Sequence, residues 1–92
     1  MNWDVKFTKE ADKGRLKLMK TGRRKELEVL AVLIVKLQES GPVQPEFQNY
    51  GKLGKYVYHC HLSRKWVACW REIKHTIILE MYYVGTRENA PY

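Results

Sequence analysis

Ninety-two residues with 45% hydrophobic content are the scale of one small globular domain over residues 1–92, too apolar for a disordered chain. Seventeen Lys and Arg against ten Asp and Glu leave a formal charge of +7. That excess points to a polyanionic or acidic partner, without separating RNA, DNA and protein. No apolar run approaches the roughly 20 residues that span a bilayer. The longest, residues 27–37, is interrupted by Glu28 and Lys36. The opening MNWDVKFTKEADKG has no apolar run behind its charges, so no secretory signal is expected. The expectation is a cytoplasmic protein that does not engage a membrane.

Taken in order, residues 3–8 alternate Trp3, Val5 and Phe7 with Asp4, Lys6 and Thr8, which predicts a short strand with one apolar face. Thr8 then caps a helix whose first turn holds Glu10 and Asp12, favourable at the positive end of the dipole. Its apolar stripe is thin, and Gly14 in its middle weakens it by about 1 kcal/mol relative to alanine. Thr21-Gly22 ends it. Residues 23–39 form the clearest helix, with Leu27, Leu30, Ala31, Ile34 and Leu37 on one face and Val32 and Leu33 widening the stripe. Gly41 is placed to take a left-handed C-cap, and Pro42 stops the helix. These two helices form a hairpin whose apolar faces need a sheet to cover.

Residues 42–54 carry two prolines and two glycines and are expected as a long loop, functional or mobile, with Lys52 and Lys55 at its end. Three strands follow. Residues 56–62 set Tyr56, Tyr58, Cys60 and Leu62 against Val57, His59 and His61. After the short connection 63–65, residues 66–71 set Trp66, Ala68 and Trp70 against Val67, Cys69 and Arg71. Residues 76–84 are rich in β-branched and aromatic side chains. Residues 56–84 are therefore expected as the middle and far edge of a small, mainly antiparallel sheet. The fold class is α+β, in the order β-α-α-β-β-β. Cys60 and Cys69 without a secretory signal are expected as buried, reduced thiols, although neighbouring strands leave a cross-strand bridge open.

His59 and His61, two apart in a strand, share a face. Three roles fit them. A metal site would need further ligands from Cys69, His75 or an acid. Acid–base chemistry would use imidazoles that titrate near neutrality. A plain hydrogen-bonded pair on a sheet is the third. The segment after the last strand, GTRENAPY, reads as a turn at Gly85. It carries Arg87, able to clamp a phosphate, and Tyr92, able to stack on a base or exchange a proton.

The topology, the basic charge and the ending YYVGTRENAPY together resemble the RelE/ParE superfamily of type II toxin–antitoxin toxins, and most of all its RelE and HigB branches. The resemblance covers nearly the whole chain in topology and residues 56–92 in sequence. It implies an endoribonuclease that cuts messenger RNA on the ribosome through 2′-OH attack and requires neither metal nor cofactor. It implies His59, His61, Arg87 and Tyr92 as catalytic residues, and Lys52, Lys55, Arg64, Lys65 and Arg71 as contacts to RNA phosphates. The expected partners are a cognate antitoxin, the ribosome and mRNA. RelE carries two lysines where this chain has His59 and His61, and HigB-type members use histidine. RelE also carries an arginine where this chain has Val67, and Arg64, Lys65 and Arg71 are the candidates to supply that charge. The alternative within the superfamily is a ParE-like inhibitor of DNA gyrase with no catalysis.

Overall fold

The structure is a computed structural model and describes residues 2–92. Val5 and Phe7 alternate with Asp4 and Lys6 along strand β1, Asp4–Phe7. Thr8 is extended, and its hydroxyl accepts the Ala11 amide at 3.1 Å, opening helix α1, Lys9–Lys20. Glu10 and Asp12 in the first turn and Lys17 and Lys20 in the last both oppose the helix dipole favourably. Helix α2, Arg24–Ser40, buries Leu30, Leu33 and Leu37, with Leu27 and Ile34 half-buried beside them. Ala31 and Val32, expected on the covered stripe, point to solvent instead. An outer-layer helix can bury only a narrow line of side chains. At Gly41 the chain turns with φ of +88°, its amide donating to the Leu37 carbonyl at 2.9 Å.

The remaining elements are β2 (Gly51–Gly54), β3 (Val57–His61), β4 (Trp66–Glu72), β5 (Ile78–Thr86) and a 3-10 turn at Arg87–Asn89. They form one five-stranded sheet in the order β1-β5-β4-β3-β2, with β1 parallel to β5 and the other pairs antiparallel. The strands of residues 57–86 are therefore the three inner ones rather than the middle and far edge. The edges are β1 and a strand not foreseen, β2. Gly-Lys-Leu-Gly has little intrinsic strand preference. It is held extended by pairing Gly51 with His59 and Lys52 with Tyr58. The preceding loop is anchored as well. The Gln44 amide, 1% exposed, donates to the Lys36 and Gly41 carbonyls and to the Ser40 hydroxyl.

The helices cover one face of the sheet. Leu18, Leu30, Leu33 and Leu37 meet Tyr58, Cys60, Trp66, Ala68, Trp70, Leu79, Met81 and Val84 there. Trp70 is fully buried, stacks on Tyr58 at 6.1 Å and donates its indole N–H to the Pro42 carbonyl at 3.1 Å. Helix α1 lies against β5 at Gly14, where an added Cβ would stand 1.7 Å from the Val84 carbonyl oxygen. The two cysteines are free and buried. In the β3–β4 register Cys60 faces Ala68, while Cys69 faces His59, so the thiols lie on opposite faces and cannot be bridged. Among the described residues, no helix is long and apolar enough to cross a membrane.

Candidate functional site

The other face of the sheet carries the polar side chains. Directly opposed residues of neighbouring strands project to the same side. The register therefore sets two rows across this face: His59, Cys69 and Tyr83, then His61, Val67 and Gly85. A bulge extends the first row. Cys69 opposes Tyr83 while Trp70 opposes Met81, which leaves Tyr82 as an extra residue in β5. The slip lets Met81 before it and Val84 after it both enter the core, while Tyr82 and Tyr83 both leave it.

The imidazoles of His59 and His61 lie 6.5 Å apart between centroids. The Tyr92 ring closes over His59 at 4.8 Å. Beneath it His59 Nδ1 is buried with no hydrogen-bond partner. Burial, and then the neighbouring His61, push the His59 pKa below its ordinary value. His61 is 7% exposed. Its amide donates to the Gln48 carbonyl at 2.7 Å, and its Nδ1 lies 3.5 Å from Asn49 Nδ2. Burial raises the Tyr92 phenol, an effect reduced by the positive charge of Arg87. Both thiols are pushed up to about 12 by burial, which keeps them neutral and poor nucleophiles.

Arg87 stands just beyond this face. Gly85 and Thr86 remain in β5, so the chain turns not at Gly85 but in the 3-10 turn that Arg87 begins. The Arg87 amide donates to the Lys65 carbonyl at 2.7 Å. This clamp joins the β3–β4 connection to the end of β5. Between them opens a cleft of about 250 Å³ lined by Arg64, Lys65, Thr86, Arg87 and Glu88. Three cations against one carboxylate suit it to an anion. The Tyr83 hydroxyl braces the wall by donating to the Thr86 carbonyl at 2.7 Å.

The other expected phosphate contacts stand elsewhere. Lys52 is opposite Tyr58 in the register and holds its ammonium 5.6 Å from that ring, on the helix-covered face and away from the histidines. Lys55 lies in the β2–β3 turn over the Tyr56 ring. Arg71 is on the histidine face but paired with Glu80. His75 stands in the exposed β4–β5 turn with φ of +65°. Among the described residues no three His, Cys, Asp or Glu side chains are grouped to hold a metal ion.

No protein-family model matches the sequence, and no curated protein matches it at a significant level. Solved structures do match. The E. coli DinJ-YafQ toxin-antitoxin complex contains a chain that superposes with a TM-score of 0.78, at 17% identity over 100% of both chains. A metal-bound toxin from Helicobacter pylori gives 0.76 at 21% identity, over 94% of this chain and 96% of that one. The YoeB dimer from Staphylococcus aureus gives 0.73 at 9% identity, over 92% and 97%. The chain has the RelE-like toxin fold.

Within this fold, Val67 lies between His61 and Gly85, fully buried. No charge could be carried there without desolvating it. Arg64 and Lys65, on the connection just before β4, bring cations to the cleft instead. Sequence reasoning did not find Tyr82, Tyr83 or Asn49 at this face. The one signal in the chain that could have pointed to the bulge is the doubled tyrosine, Tyr82-Tyr83.

Tyr92 and His59 supply a direct check on this geometry. Removing the covering ring in Tyr92→Ala returns solvent to the imidazole, so its pKa rises towards the ordinary 6.5; an NMR titration of the His59 ring protons that is superimposable on wild type contradicts the packing. The sign for stability follows. A folded-state value below the unfolded one means the unfolded chain binds more protons just under pH 6.5. Stability from this group is full above that window and falls as pH drops through it.

Proposed function

We propose that this protein is the toxin of a type II toxin–antitoxin system and acts as a ribosome-dependent endoribonuclease on mRNA. The observation that carries this reading is the histidine pair on an aromatic sheet face, beside a cleft built by Arg64, Lys65 and Arg87. His59, whose burial favours the neutral imidazole, takes the proton from a ribose 2′-OH. The 2′-oxygen attacks the adjacent phosphorus, and the bond to the 5′-oxygen breaks. His61 or Tyr92 gives the leaving 5′-oxygen its proton, which leaves a 2′,3′-cyclic phosphate and a 5′-hydroxyl. Arg87, with Arg64 and Lys65, stabilises the charge that builds on the phosphoryl oxygens.

The fold shared with a chain of a toxin-antitoxin complex supports an antitoxin as partner, and +7 on 92 residues suits one with an acidic binding segment. The site of action is then the cytoplasm. Induced expression in growing bacteria tests the reading. Translation stops, and mapping of RNA 5′ ends finds cuts at the ribosomal A site. Co-expression of the protein encoded next to this one restores growth. DNA damage with intact messages would point to the gyrase-directed alternative, and normal growth would remove the toxin assignment.

A further inference from the structure

Next to the histidines, one charged side chain is held in a way that phosphate binding does not need. Arg71 lies over the Tyr82 ring, its Cζ 4.5 Å from the centroid. Its Nε donates to Glu80 Oε1 at 2.7 Å. Neither Nη group has a hydrogen-bond partner among the described residues, and the side chain is 44% exposed. A guanidinium fixed by a carboxylate and a ring has lost most of its freedom before any ligand arrives. Its two terminal nitrogens and its open face remain free.

The position ties this group to the cleavage site. Arg71 is two residues beyond Cys69 on the same face of β4, and Cys69 opposes His59. One such step along a strand is roughly 7 Å. Tyr82 is the extra residue of β5 beside the Cys69–Tyr83 pair and carries the ring against which Arg71 rests, so it links Arg71 to the histidine row. The nucleotide next to the one at His59 would lie within reach of Arg71. The cleft of Arg64, Lys65 and Arg87 is on the opposite side of the row, beyond His61.

Charge decides between phosphate and base. Glu80 beside Arg71 leaves the pair near neutral and repels a phosphate, whereas the cleft has a cationic surplus. A neutral base edge with two adjacent acceptors suits paired N–H donors. Guanine offers O6 and N7, and in single-stranded RNA cytosine offers O2 and N3. Adenine and uracil present no two adjacent acceptors.

We propose that Arg71, oriented by Glu80 and Tyr82, forms a nucleobase subsite that reads guanine or cytosine next to the scissile phosphate. The subsite rests on the nuclease reading for its biological use, but its binding chemistry is testable separately. Wild-type cuts mapped by RNA 5′-end sequencing are enriched in G or C at one fixed position. Arg71→Lys keeps the charge but loses the paired donors. It flattens that preference, slowing cleavage at preferred sites by roughly 10- to 100-fold and leaving the others near wild type. A wild type without such a preference, or an Arg71→Lys protein that keeps it, overturns the subsite.

Non-cleavable 2′-O-methyl trinucleotides, titrated into the free protein and followed by backbone amide shifts in β4 and β5, provide the second arm. Shifts at Arg71 and Tyr82 with G, reduced by 7-deazaguanine, assign guanine; shifts with C alone assign cytosine. Equal shifts with all four bases, or none, overturn the proposal. If cuts are absent in cells while the trinucleotide preference holds, the nuclease reading fails and the subsite stands.

Discussion

Replacing either His59 or His61 with glutamine is expected to reduce the rate of RNA cleavage by roughly 100- to 10,000-fold. Glutamine keeps the size and hydrogen bonding of imidazole but cannot exchange a proton near neutral pH. The effects differ in shape as well as size. In the proposed mechanism His59, its pKa lowered by burial, is the base, so its loss would fall on the acid limb of the pH–rate profile. In the same mechanism His61, nearly buried beside it, shares the proton-donor role with Tyr92, so its loss would fall on protonation of the leaving oxygen. Two residues of one proton-transfer unit are not additive, and the double variant should be little slower than the worse single one. The measurement is single-turnover cleavage on ribosome-bound message, with circular dichroism to establish that each variant is folded. If either glutamine variant cleaves within about threefold of wild type, far short of the acid–base contribution, that histidine has no catalytic part. Intact messages would return the pair to a structural role.

The second large effect reverses what helix propensity predicts. By propensity alone, Gly14→Ala should stabilise α1 by about 1 kcal/mol. In the fold, the new methyl would meet the Val84 carbonyl oxygen at 1.7 Å. That atom belongs to the inner strand β5, held there by its pairing with Ala68 of β4, so it yields little. Helix α1 would have to recede from β5, opening the packing of Ala11 and Leu18, both fully buried. Overpacking of this kind costs about 1–3 kcal/mol and sometimes more. After the propensity gain, a net loss of up to roughly 2 kcal/mol is expected, a drop in Tm of up to about 10 °C for a domain of this size. Urea denaturation should show a lower midpoint with an unchanged slope. A midpoint equal to or above wild type would mean that the helix does not approach the sheet as described.

Gly14 shows where reading the chain stops. A glycine inside a helix is visible in the sequence as a local cost, but its reason is a carbonyl 70 residues away. Local chemistry determined much else directly. The period-two alternation in β1, β3 and β4, the Thr8 cap, the Thr21-Gly22 break, the leucine stripe of α2 and its stop at Gly41-Pro42 all depend on neighbouring residues. So does the placing of His59 and His61 on one face, since successive side chains of any strand point to opposite sides. Their order along the chain was enough to suggest the fold.

What only the tertiary structure decided depends on pairing between distant segments. Strand β2 exists because β3 holds it, and its own Gly-Lys-Leu-Gly would not. Its register puts Lys52 over Tyr58, away from the histidines. The β3–β4 register separates the two cysteines onto opposite faces. The bulge at Tyr82 turns two tyrosines outward and lets one lie under Arg71. The Lys65–Arg87 clamp assembles a cationic cleft from two segments 22 residues apart. Alternation assigns side chains to faces within one strand, but register and bulges set which strands share a face and which charges meet. Those are global properties of the packed sheet.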